Sequence, residues 1–397
     1  MDNTRPHPPQ PPSRPNNTIL RMIGYHYHLL ALLLLAAVVT AGRRHRFEPL
    51  PECSECISRE DALAPGIGFD LTDSYGTAAI RYNNKSVVNL GKVEANQEYR
   101  ELVERLSDPS MKLSCHSTTW EEVHCSYLRQ KRRLNKLRGR PATRDVGILA
   151  KLMSQLHTLV DAHLGAGTTK SVLPTMPNLP GLEQEDLQDA LQHIGLRALV
   201  THKHGRYVWE TSAAFAGIGF GLCAHPEDCD ACEDEEADMP FRHTLALSLT
   251  NRSFSASYTY MQSAFRSSHE AETVRFELGL EKQGEETYWE RLREVIVDVG
   301  QETEKPLDTL LLLGEGAGLP EFARTVQDAF NRLSELNIGS EVNIRLSRQG
   351  DPLYIAARGA ADFAKRAQSS PPNCREPARC FEDRKIDDSQ EALSDEL

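Results

Sequence analysis

From Pro65 to about Ala367 the apolar positions switch repeatedly between a period of two and a period near 3.6, the pattern of strands alternating with helices. "GIGFDL" (66–71) and "GTAAIRY" (76–82) read as two short strands joined by a turn at Thr72 to Tyr75. "RDVGILAKLMSQLHTLVDAHLG" (144–165) puts Ile148, Leu149, Leu152, Leu156, Leu159, Val160 and Leu164 on one helical face, with Gly165 as the C-terminal cap. "KSVLPTM" (170–176) follows as a strand and "LEQEDLQDALQHIGL" (182–196) as a helix. "ETSAAFAGIGFGL" (210–222) predicts a helix of small residues that can approach a neighbour closely. "HTLALSL" (243–249) and "FSASYTYM" (254–261) predict a second hairpin. "LDTLLLLGEGAGLPEFARTVQDAFNRL" (307–333) predicts a buried strand, a Gly-rich turn and a helix opened by Pro320, where a missing N–H does no harm. The alternation predicts an α/β domain.

The ends follow a different pattern. Residues 1–24 are Pro-rich and polar, too poor in apolar area to offset chain entropy, and are expected to be disordered. Within 25–41, the run Leu29 to Ala41 has the length of a signal-peptide core. With Met22 to Tyr27 included it approaches a signal anchor. A linker (42–64), the α/β domain (65–367, dividing near residue 210) and an acidic tail (368–397) complete the organisation. The tail closes on "SDEL", similar to the retrieval endings of the endoplasmic reticulum. The sequons at Asn84 and Asn251 fit secretory passage. The expected setting is therefore the lumen or membrane of that compartment.

Charge and cysteines refine this. A net charge of −12 argues against a general nucleic-acid binder. The cysteines fall in local groups (53 and 56; 115 and 125; 223, 229 and 232; 374 and 380) whose short spacings would close small loops if oxidised. "CAHPEDCDAC" makes Cys223, Cys229 and Cys232, with His225, a disulfide-bearing loop or a zinc-like set, and the spacing matches no standard finger. "RQKRRLNKLRGR" (129–140) reads as a solvated helix or loop, or as a surface for anionic lipid or an acidic partner.

The order of elements resembles the nucleotide-binding domain of the seventy-kilodalton heat-shock (DnaK-like) chaperones, within the actin-like ATPase superfamily, from about Gly66 to Lys365. Three segments carry the resemblance: the run from Arg144 to Leu196; "ETSAAFAGIGFGL"; and "LLLLGEGAGLPEFARTVQDAF" with "DPLYIAARGAADFAKR" (351–366). The resemblance implies a two-lobed fold with ribonuclease H-like subdomains. It implies ATP or ADP with Mg²⁺ held between two phosphate-binding hairpins. Asp70 would orient the metal's water shell, Glu210 the attacking water, Thr72, Ser74 and Ser253 would lie at the phosphates, and Gly314, Gly316 and Gly318 would form the adenosine turn.

The sequence departs from the family where the chemistry is most demanding. The first loop reads Thr72-Asp73-Ser74 in place of Gly-Thr-Thr, adding a carboxylate near the phosphate position. The second reads Ser248-Leu249-Thr250-Asn251-Arg252-Ser253 in place of Asp-Leu-Gly-Gly-Gly-Thr, losing an aspartate and the glycines that let backbone approach phosphate. Arg252 is either a substitute phosphate contact or an exposed hairpin arginine. Few residues lie between Met261 and Thr309, so the adenine-side subdomain is expected to be reduced, and a peptide-binding domain is not expected. Two functions remain: weak nucleotide binding or hydrolysis, and a pseudo-ATPase serving as a lumenal or membrane-tethered module for unidentified protein partners.

Overall fold

The computed structural model describes residues 51–112, 119–199, 208–226, 229–265, 267–303, 305–335, 345–346, 350–369, 374, 376–377 and 379–380. The apolar run Leu29–Ala41 and the SDEL ending lie outside the described residues. The chain divides into two compact units, residues 1–51 and 52–397, and every described element belongs to the second. After a short helix α1 (Arg59–Leu63), a first sheet is built from β1 (Gly66–Leu71), β2 (Tyr75–Arg81), β3 (Val87–Glu94), β4 (Ser171–Met176), β5 (Arg197–Ala198) and β6 (Val208–Trp209). Helices α2 (Gln97–Leu106), α3 (Thr119–Leu137), α4 (Arg144–Leu164) and α5 (Gln184–His193) fall between its strands. Then come α6 (Glu210–Gly217) and α7 (Cys229–Asp238). The second sheet holds β7 (Arg242–Leu249), β8 (Phe254–Met261), β9 (Ser267–Arg275), β10 (Thr309–Leu313) and β11 (Arg345–Leu346), with α8 (Tyr288–Gly300), α9 (Pro320–Glu335) and a final α10 (Ile355–Ser369).

The two sheets repeat one topology. The first runs β3-β2-β1-β4-β5, with β6 also pairing β4, and the second runs β9-β8-β7-β10-β11. In each, three antiparallel strands are followed by a strand added parallel to the first. Strand alternation sorts the faces. In β1, Ile67, Phe69 and Leu71 join a core with the apolar faces of α2, α4 and α5, while Gly66, Gly68 and Asp70 point the other way. In β7, Leu245, Leu247 and Leu249 do the same toward α8 and α9. The helix of 144–165 forms as its pattern predicts: the Thr143 hydroxyl accepts the Val146 N–H at 3.1 Å, and Gly165 closes it at φ +97°.

Between the sheets lie α6 and α10, whose side chains share a third core with Leu173 of β4 and Leu311 and Leu313 of β10. The contact is almost backbone to backbone. A Cβ at Gly359 would sit 1.7 Å from the Ala213 carbonyl oxygen, and one at Gly217 2.0 Å from that of Ile355. On its other side α10 rides on β1, where Cβ atoms at Gly66 and Gly68 would come within 2.3 Å and 2.2 Å of α10 backbone. The helix of 210–222 therefore ends at Gly217, sooner than its composition suggests. The chain leaves through Gly219 and Gly221, at φ +85° and +69°, conformations that favour glycine.

The cysteines correct one expectation. Cys53 is bonded to Cys374 and Cys56 to Cys380, across separations of 321 and 324 residues, in place of local loops. The two flanks run together because α10 holds them. Lys365 Nζ donates to the carbonyls of Ala62 and Ala64 at 2.6 and 2.9 Å, Gln368 donates to Pro65, and the Ile57 N–H reaches Glu376. The segment read as linker thus carries α1 and both bonds. Cys223 and Cys232 do close a small loop, which removes both sulfurs from the zinc-like set, since a disulfide sulfur is no thiolate ligand. The disulfides, these three among them, are consistent with an oxidising secretory or lumenal environment. Among the described residues no helix is long and apolar enough to cross a membrane.

Gly359→Ala should lower stability by about 3 kcal/mol or more, because backbone must move to admit one methyl. Gly284→Ala, where a Cβ meets nothing within 4 Å, should change it by less than about 0.5 kcal/mol. Urea unfolding of the two variants checks the contrast.

Candidate functional site

Each sheet's first hairpin ends in the same turn. In the first, the Thr72 N–H donates to the Tyr75 carbonyl at 2.9 Å, and Thr72 Oγ1 accepts the N–H groups of Ser74 and Tyr75 at 3.2 and 3.1 Å. In the second, the Thr250 N–H donates to the Ser253 carbonyl at 2.9 Å, and Thr250 Oγ1 accepts those of Arg252 and Ser253 at 3.2 and 3.0 Å. A threonine whose hydroxyl serves its own turn is what "DLTDSYG" and "SLTNRSF" share. Of the remaining amides, the Asn251 N–H donates to Glu315 Oε2 at 3.0 Å. Five amides beyond the two that close the turns from Thr72 and Thr250 are thereby satisfied within the protein.

The turns also bond to each other. The Thr250 hydroxyl donates to Asp73 Oδ1 at 2.9 Å, a contact between residues 177 positions apart and buried on both sides. Asp70, at the end of β1 on the Gly66/Gly68 face, and Glu210, the first residue of α6, are both nine-tenths buried or more. Glu210 lines a small polar cavity with Asn178, Thr211, Ser248, Ser257 and Glu272.

Electrostatics in this cleft are one-sided. Burial pushes Asp70 up to about 7 and Glu272 up to about 7. Burial raises Glu210 well above the usual range, and the neighbouring Asp70, Asp73 and Glu272 carboxylates add to it. Asp73 is raised by burial too, with the Thr250 hydroxyl among the groups pulling the other way. Asp70 Oδ1 and Asp73 Oδ2 are buried with no hydrogen-bond partner among the described residues. Lys92 of β3, over the Tyr75 ring at 5.0 Å, is committed to Glu94 and Glu315. Chemically, the cleft holds carboxyl groups driven toward their neutral form, which suits a hydrogen-bonded latch or a cation and is hostile to a polyphosphate.

The sequence-derived residues divide accordingly. Asp70, Thr72, Ser74, Glu210 and Ser253 are all buried, and Asp70 and Glu210 lie within electrostatic reach of each other. Gly314 and Gly316 have a packing reason. A Cβ at Gly314, which sits at φ +89°, would lie 2.4 Å from the Leu249 carbonyl oxygen, and one at Gly316 2.5 Å from the Leu249 side chain, whereas Gly318 faces open space. Arg252 turns to Glu281 at 3.5 Å and Glu104 at 4.0 Å, which gives it carboxylate partners. Cys229 begins α7, and its side chain lies outside the described residues. Sequence reasoning missed Lys92, Glu272 and Glu315. The first two sit on strands whose pattern is weak, and only the charge of Glu315 within an otherwise neutral Gly-rich turn was a signal. No protein-family profile matches the chain, and no curated protein matches it significantly.

Because the Asp70 carboxyl titrates higher in the folded chain than its ordinary value of 3.8, its contribution to stability is fully present below about pH 4 and is lost as pH rises through about 7. Asp70→Asn, which imitates the neutral form, should match the wild type near pH 4 and exceed it by about 2–4 kcal/mol at pH 8. Parallel stability curves for the two proteins would show that Asp70 is not so perturbed.

Proposed function

We propose that this chain is a degenerate actin-like domain, similar to the nucleotide-binding domain of the DnaK-like chaperones, that works as a pseudo-ATPase interaction module in the secretory pathway. What supports the family reading is the repeated 3-2-1-4-5 strand order and the placement of α6 and α10 between the sheets. Further support comes from Asp70 and Glu210 at the positions the resemblance assigns to metal and water. What supports a lumenal or membrane-tethered setting is the disulfides, together with the apolar run Leu29–Ala41.

The observation that carries the functional reading is the internal bonding of both turns. A phosphate cradle needs unpaired backbone N–H groups pointing at the ligand. Here Thr72 and Thr250 take four of them and Glu315 a fifth. Asp73 stands between the turns as a hydrogen-bond acceptor for Thr250, and a triphosphate would have to break that bond and displace a carboxyl group. The residues present therefore do not fit ATP or ADP, and no hydrolytic step is assigned to Asp70 or Glu210. Their role in this reading is to hold the two sheets in one arrangement for a partner.

Calorimetry and thermal melts of the full chain with millimolar ATP or ADP, with and without Mg²⁺, test the reading. The expected result is no heat of binding and no rise in melting temperature. Metal-dependent stabilisation that disappears in Asp70→Ala would establish a nucleotide site instead.

A further inference from the structure

Helix α3 is turned inside out relative to an ordinary surface helix. Its inward residues, at a spacing of three and four, are Cys125, Leu128, Arg132 and Asn135, and most of that side is polar or covalently held. Arg132 donates to Asp186 at 2.7 Å and twice to Asp189, at 3.0 and 2.7 Å, and Asn135 donates to the Ala142 carbonyl at 3.0 Å. The opposite side carries the apolar residues: Val123, Tyr127, Leu134 and Leu137 are 56, 61, 51 and 84% exposed. Positions 123, 127, 134 and 137 lie on one helical stripe. A helix whose only neighbour were water would gain by the reverse arrangement.

Basic charge flanks this stripe. Between Val123 and Arg140 there is no acidic residue and there are seven Lys or Arg. Arg132 and Lys136 answer the acids of α5, namely Glu185, Asp186 and Asp189. Among the described residues, Lys131, Arg133, Arg138 and Arg140 form no ion pair, although the whole chain carries a net charge of −12. Apolar side chains between unpaired cations are complementary to a surface that is apolar beneath an anionic layer.

We propose that the outer face of α3 docks the protein flat on a membrane surface bearing anionic lipid headgroups. Val123, Tyr127, Leu134 and Leu137 enter the boundary of the acyl region, and Lys131, Arg133 and Arg138 meet the headgroups. The inward anchoring favours a plane over a protein groove. A groove that envelops a basic amphipathic helix needs the helix free on most of its circumference, and α3 is held inward through Arg132 to α5 and through Asn135 to the Ala142 carbonyl. The proposal is independent of whether the hairpin turns bind nucleotide.

Flotation of the full chain with vesicles of phosphatidylcholine alone, or of phosphatidylcholine with phosphatidylserine, tests it. Residues 29–41 contribute equally to every variant, so the comparison isolates α3. Phosphatidylserine should increase membrane association about tenfold or more, and added salt should reverse that gain. The gain should be lost in Leu134→Gln/Leu137→Gln and in Lys131→Gln/Arg133→Gln/Arg138→Gln. It should survive in Lys151→Gln, on α4. Unchanged melting temperatures would confirm that these exposed substitutions leave the fold intact. Equal association with both vesicles, or a phosphatidylserine effect that survives both sets of substitutions, would overturn the proposal and leave the stripe to an acidic protein surface.

Discussion

The contact on which the rest of the molecule depends is the passage of α10 between β1 and α6 with no side chain to separate them. Gly66 and Gly68 on the strand, Gly217 on α6 and Gly359 on α10 bring three backbones within van der Waals range at once. Such closeness multiplies weak dispersion contacts and leaves no slack, because a single added methyl meets main-chain atoms that cannot rotate away. It also has a consequence for the site. The alternation that turns Gly66 and Gly68 toward α10 turns Asp70 the same way, and the first residue of α6 is Glu210. Two carboxyl groups are thus delivered into one dry place by the packing of glycines.

Burying carboxyl groups together is unfavourable unless they are neutralised or bonded, and the cleft uses both means. Asp73 accepts a hydrogen bond from Thr250, and Asp70, Glu210 and Glu272 titrate upward. The matching threonines link this to the backbone. Thr72 and Thr250 start equivalent turns after equivalent strands, and each hydroxyl satisfies amides that would otherwise need a ligand. With Lys92 and Glu315 joining β3 to the turn after β10, the cleft between the hairpins is closed by polar bonds contributed from both sheets.

Much of the fold was legible because its strands and helices carry clean periods. β1, β4, β7, β8, β10, α4, α5 and α9 all lie where the apolar spacing puts them, whereas Asp70 and Glu210 were singled out by the family resemblance alone. What was not legible depends on distant neighbours. β3 and β9 are half-polar strands at sheet edges, with no strong alternation to mark them. Cys53 and Cys56 looked like partners because they are close in sequence, whereas α10 brings residues from the other end of the domain beside them. The basic run 129–140 mixed two populations that only the helix separates: Arg132 and Lys136 bond inward to α5, and their neighbours face out. The glycines of "GEGAG" fit a nucleotide turn equally well as a letter string, and the approach of Leu249 is what gives Gly314 and Gly316 a packing reason.

The amides of Ser74, Tyr75, Arg252 and Ser253 are already satisfied by the threonine that opens each turn, which amide hydrogen exchange reads directly. Exchange at Ser74, Tyr75, Arg252 and Ser253 should be slow in the protein alone and unchanged by millimolar Mg²⁺ and ATP. Rapid exchange at these four amides that slows when Mg²⁺ and ATP are added would contradict the account and restore a phosphate cradle to the hairpins.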